Sequence, residues 1–173
     1  MLKRLTHVNL WVHDQDEALA FYTRKVGFEP REDVTVAEFG NYRYLTVGPP
    51  LQPDIHFILG VPGPPVHDPG TAARMSELVA KGAMSGLSFE VDDCQATYSE
   101  LKERGVEMIQ EPNKVPWGID AAFRDLSGNH VRFVQVIPGK HLFEGGAGQV
   151  PLKLLESRPL STGVVALRYA PAA

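Results

Sequence analysis

LTHVNLWVHD, residues Leu5 to Asp14, decides the fold, because its pattern returns as GLSFEVDD from Gly86 to Asp93. Side chains alternate along a strand, so the first stretch puts Val8, Leu10 and Val12 on one face and His7, Asn9 and Trp11 on the other. The first face is apolar and suits a core. The second carries an imidazole, an amide and an indole, none of which a core requires, so function is sought there.

Outward from this stretch, Asp14 and Glu17 have the spacing of a capping box, and Ala18, Phe21, Tyr22 and Val26 recur at helical steps before a stop at Gly27. Three strand-like runs follow, at about 31–38, 42–47 and 55–59, separated by Gly40-Asn41 and by the turn-forming run from Gly48 to Pro53. From Gly86 the order begins again. Leu87, Phe89 and Val91 are the apolar alternates, Asp92 or Asp93 caps a helix that buries Cys94, Tyr98 and Leu101, and Gly105 stops it. Strands are expected at 107–111, 118–124 and 130–137. Sliding one half over the other puts His7 on Gly86, an offset of 79, and His56 on Arg132, an offset of 76. The chain is therefore an internal duplication. Its expected divisions are a first module at 1–60, a linker with a short helix at 61–85, a second module at 86–137 and an extension at 138–173. The linker opens on proline- and glycine-rich sequence that forbids regular structure, and its helix is expected at 71–81. The extension, broken by Pro151, Pro159 and Pro171, reads as an extended arm with one optional strand at 163–169.

Bulk properties narrow the function classes. The 173 residues are 43% hydrophobic, enough for a sizeable core, with a formal net charge of -4 and scattered cations. No basic patch addresses nucleic acid, and no apolar run is long enough to span a bilayer. One cysteine, Cys94, excludes an internal disulfide and a thiolate cluster. A cytoplasmic protein whose partner is a small molecule is the expectation.

Two strand-helix-three-strand modules, with V-x-D before each helix, FYxxxxGF from Phe21 to Phe28 and FRDLSGNHVRFVQ from Phe123 to Gln135, resemble the vicinal oxygen chelate superfamily. That group includes glyoxalases, bleomycin-resistance proteins, fosfomycin-resistance enzymes and extradiol dioxygenases. The resemblance covers about residues 5–137. It implies an α+β fold of two tandem βαβββ modules forming a cup-shaped mixed sheet around a cavity, assembled as a homodimer. It also implies four metal-ligand positions, which here fall on His7, His56, Gly86 and Arg132. Glycine offers no side chain and a guanidinium does not ligate a cation, so half of the set is missing. Glu90 is a substitute carboxylate, but it lies about 13 Å along the strand from Gly86 at the usual rise.

Each candidate carries two readings. His7 and His56 either hold a divalent Zn, Ni, Mn or Fe ion with a third ligand, as in a metal-dependent lyase or dioxygenase, or are hydrogen-bonded cavity histidines. Arg132 either grips an anion or pairs with a neighbour such as Glu90. Trp11 and Asn9 line the pocket or pack within the sheet. Trp117, where a loop enters a strand, is read as loop burial ahead of a pocket cap. Tyr42 and Tyr44 address the cavity or solvent, His130 at a turn is read as exposed, and His67 and His141 receive no role. Binding of an anionic or aromatic ligand without a complete metal site is the favoured expectation, with catalysis left open.

Overall fold

A computed structural model of the protein describes residues 1–84, 86–137, 152–159 and 165–171. The chain divides into two compact units, Met1–Ile137 and Pro138–Ala173. The first contains both expected modules. Strand β1 (His7–Trp11) leads into helix α1 (Gln15–Phe21), then β2 (Glu29–Val36), β3 (Tyr42–Gly48) and β4 (His56–Gly60). After helix α2 (Pro69–Ala80), the order repeats as β5 (Gly86–Glu90), α3 (Cys94–Glu103), β6 (Glu107–Val115), β7 (Gly118–Arg124) and β8 (His130–Val136). Each module folds into a four-stranded mixed sheet, ordered β1-β4-β3-β2 and β5-β8-β7-β6.

Local chemistry sets the helix ends. The Asp14 carboxylate accepts from the Glu17 amide at 2.8 Å and that of Asp93 from the Ala96 amide at 2.9 Å, so the same cap opens both module helices. Helix α1 widens into a π-turn over Tyr22–Val26 and ends on Gly27, whose φ of 88° is left-handed. Helix α2 starts two residues before its expected position, because Asp68 caps it and Pro69 occupies its first turn, where the missing N–H costs nothing. Its C-terminal end presses on the turn before β8. A Cβ at Gly128 would lie 2.7 Å from the Val79 carbonyl oxygen, and Gly128 adopts a φ of 100°, so glycine alone fits there.

The apolar alternates read from both strands meet in one core. Leu10, Val12, Leu45, Val47 and Leu59 from the first module join Ala121, Phe123, Val131 and Phe133 from the second. Phe28 connects the halves, stacked 5.9 Å from Phe57 and edge-on at 5.4 Å from Phe89. Each fully buried side chain of this size contributes roughly 1.5–3 kcal/mol, and a shared core makes the two modules one unit. A polar junction accompanies it. The buried Asp125 accepts four hydrogen bonds: the Ser127 and Asn129 amides at 3.0 and 2.8 Å, the Asn129 side-chain amide at 2.9 Å and the Tyr22 hydroxyl at 2.8 Å. Asn129 also donates to the Trp11 carbonyl at 2.8 Å, and Ser127 accepts from the His13 amide at 3.0 Å. Burial, and next the facing Asp125 charge, push the Tyr22 phenol well above its ordinary pKa, so it remains a donor.

Two expectations change. The extension is not a single arm: β9 (Leu152–Pro159) and β10 (Val165–Pro171) pair as antiparallel strands. The second offset is also different. His7 pairs in register with His56, whereas Gly86 pairs with His130, so the last strands superimpose at 130 − 56 = 74 rather than 76. The register counterpart of His56 is His130, and Arg132 stands opposite Ser88.

Removing the Asp125 carboxylate should leave the Tyr22 hydroxyl and the turn amides buried without partners. Asp125→Ala is expected to cost about 3 kcal/mol or more, against about 1 kcal/mol for Tyr22→Phe, which removes one bond and leaves the carboxylate satisfied. Urea unfolding midpoints of the two variants measure the difference.

Candidate functional site

The two sheets carry different chemistry at matching places. On the first, the parallel pairing of β1 and β4 brings the His7 and His56 rings to 4.9 Å between centroids, with Tyr44 of β3 6.3 Å from His7. His7 Nδ1 shares a hydrogen bond of 3.0 Å with the Thr6 hydroxyl, and His56 Nδ1 is buried without a partner. The Tyr44 phenol is raised by burial, then by Glu32 and Tyr42. Asn9 is exposed and lies opposite Ile58. Trp11 packs against β4, where a Cβ at Gly60 would lie 2.9 Å from its ring, and meets His67 edge-on at 5.2 Å. The linker histidine assigned no role therefore covers the indole expected to face a ligand.

The second sheet holds a cavity of about 550 Å3, walled by Ser88, Gln110, Asn113, Val115, Trp117, Asp120, Arg132 and Val134. All of these residues lie between β5 and β8, so Arg132 shares this cavity with none of His7, Asn9, Trp11 or His56. Arg132 pairs with Asp120, not Glu90. The cause is register: β7 and β8 are antiparallel neighbours, and Ala122 opposite Arg132 places Asp120 one side-chain step away on the same face. The Asp120 side chain is only 6% exposed, and its second oxygen accepts from the Gln110 amide at 2.7 Å. The Arg132 side chain remains 43% exposed to the cavity. Trp117 is 60% exposed and forms a wall, contrary to the expectation of loop burial. Glu90 is exposed and lines a separate, apolar groove of about 790 Å3 with Val8, Phe57 and Phe89.

A metal ion was the alternative tenant. His7 and His56 are close enough to share one, but Gly86 adds no donor and Arg132 adds a cation. Among the described residues, no group of three or more His, Cys, Asp or Glu side chains is placed to hold an ion. The described donors of one chain do not fit a metal that needs three protein ligands. His130, expected to be exposed, is half-buried with Nε2 inaccessible and unpaired. Its pKa is lowered by burial first, then by Arg132 and Arg124. His141 lies outside the described residues. Cys94 is fully buried, as its place on the inner side of α3 requires.

The fold and site define a class: a tandem βαβββ protein with an open cleft of small-molecule size on its second sheet. The chain belongs to the Glyoxalase/Bleomycin resistance protein/Dioxygenase superfamily, whose family model matches residues 4–133. The crystal structure of UcmS2 is similar at 45% identity and a TM-score of 0.72, over 78% of this chain and 98% of that one. TnmS3, an antibiotic binding protein from Streptomyces sp. CB03234, is similar at 28% identity and a TM-score of 0.62, over 79% and 98% of the two chains. An uncharacterized protein of Bacillus subtilis (strain 168), YurT, is 34% identical over 76% of this chain and 98% of its own length. Among the described residues, no helix is long and apolar enough to cross a membrane.

The lowered pKa of His130 predicts a direction for stability. The folded state holds this proton less tightly than the unfolded chain, so its contribution is full above the ordinary value of 6.5 and is lost as pH falls through the folded value. Arg132→Gln removes one of the cations responsible and should raise the His130 pKa, read from imidazole chemical shifts in an NMR titration.

Proposed function

We propose that this protein binds a planar aromatic small molecule of the antibiotic type in the second-sheet cavity and holds it without chemical conversion. The observation that carries this reading is Trp117, an indole 60% exposed at the wall of a cavity that also offers the Arg132–Asp120 pair. An indole at the wall of a cavity offers a planar apolar face on which an aromatic ring stacks. A volume near 550 Å3 suits a drug-sized molecule. Similarity to an antibiotic binding protein supports the same class of ligand.

The protein acts as a cytoplasmic homodimer in this reading. Cavity walls come from one module alone, and Val136 and Ile137, beside Trp117 at the rim, are each more than 40% exposed. A second copy closes the open side. A second reading rests on the 4.9 Å separation of His7 and His56: a metal-dependent lyase or dioxygenase in which the remaining ligand comes from elsewhere.

Titration with a panel of polycyclic aromatic antibiotics, followed by calorimetry and by mass spectrometry of the recovered ligand, tests the proposal. Binding of at least one member is expected, with the ligand recovered unchanged. Trp117→Ala should weaken it about tenfold or more, and His7→Ala should leave it within about twofold. Conversion of the ligand on addition of Zn, Ni, Mn or Fe, abolished in His7→Ala, establishes the second reading instead.

A further inference from the structure

We infer that the second-sheet cavity selects an uncharged ligand, one that offers a carbonyl or phenolic oxygen to Arg132, and discriminates against aromatic acids. The inference rests on the reading of this cavity as the ligand site and deepens it. A lone arginine in a cleft ordinarily points to an anion. Here the cation has a resident counter-ion. The Asp120 carboxylate accepts from Arg132 through one oxygen and from Gln110 through the other, at 2.7 Å in the latter case. The other described wall residues, Ser88, Gln110, Asn113, Val115, Trp117 and Val134, carry no formal charge, so the described walls sum to neutral.

Burial makes that neutrality hard to undo. With its side chain 6% exposed, Asp120 has little access to water if its partner turns away, and a buried unpaired carboxylate is strongly disfavoured. An incoming carboxylate would have to draw the guanidinium from Asp120 or sit beside a like charge. In return it would gain a contact with a group 43% exposed, where ion pairs are weak. A neutral oxygen meets neither obstacle. It accepts from the outward N–H groups of Arg132 while the inward one stays on Asp120, and the aromatic ring of the ligand lies against Trp117. Side chains of Ser88 and Asn113 supply the remaining neutral polar contacts.

The test compares 2-naphthamide with 2-naphthoate, which match in ring and nearly in shape, on the full chain by NMR shift perturbation of the Trp117 indole N–H. The amide is expected to bind about tenfold tighter or more. Its affinity should change little between about 50 and 200 mM salt. In Asp120→Asn the counter-charge is gone, so naphthoate should gain about tenfold and become salt-sensitive. If that variant does not fold, the comparison on the unaltered protein still decides. Tighter, salt-sensitive binding of naphthoate to the unaltered protein overturns this inference and leaves the aromatic-binding reading standing. Failure of both probes to move the Trp117 signal overturns the assignment of the cavity itself, and the inference with it.

Discussion

One buried carboxylate, that of Asp125, holds the two modules in register. Its four hydrogen bonds close the turn that leads into β8 and reach the Tyr22 hydroxyl of the other module, 103 residues away in sequence. A carboxylate at 5% residue exposure is tolerable only when donors surround it, so the turn, the Asn129 side chain and Tyr22 must all be in place together. Through Asn129, the same turn accommodates the end of β1, where the Trp11 carbonyl would otherwise lack a partner. The shared aromatic core supplies most of the driving force, but an apolar contact tolerates sliding. The directional bonds around Asp125 do not, and they fix where the second sheet stands.

From that arrangement the two sheets have diverged in chemistry while keeping their backbone. His7 and His56 face each other across a parallel pair of strands, and the equivalent register positions in the second module hold Gly86 and His130. Where the first sheet has imidazoles, the second has an ion pair and an exposed indole two and more residues further on. The duplication therefore has no symmetric site. At the equivalent positions Gly86 offers no side chain beside His130, and two residues along the strand from His130 the Arg132 cation is neutralised by Asp120.

Legibility of these features followed periodicity. Strands β1 and β5 alternate cleanly, so their faces, helix caps and repeat could be read directly, and the family resemblance rested on the repeat together with FYxxxxGF and FRDLSGNHVRFVQ. Strand β7 does not alternate: in GIDAAF both faces are covered, and Asp120 is buried like its neighbours Ala121 and Ala122. A lone aspartate in such an apolar run was the available signal, since a buried carboxylate needs a cation or a ring of donors, and Arg132 on the next strand was the nearest cation in register. Trp117 was read as a buried loop residue because its flanking Pro116 and Gly118 mark a turn, and a turn does not say which way its side chain points. The choice between Arg132 and His130 as counterpart of His56 preserved the face either way, so only the strand pairing could separate them.

The sequence by itself determined the α+β class, the duplicated module, the helix caps and the composition of the core, because each follows from short-range pattern: the two-residue and 3.6-residue periods of apolar side chains and the donors a helix end leaves open. Tertiary structure alone decided which polar residues share a cavity. That depends on register between strands far apart in the chain, where a shift of two residues keeps every side chain on its face yet exchanges its neighbours. Arg132 met Asp120 rather than Glu90 for that reason, and the fold of the linker brought His67 onto Trp11.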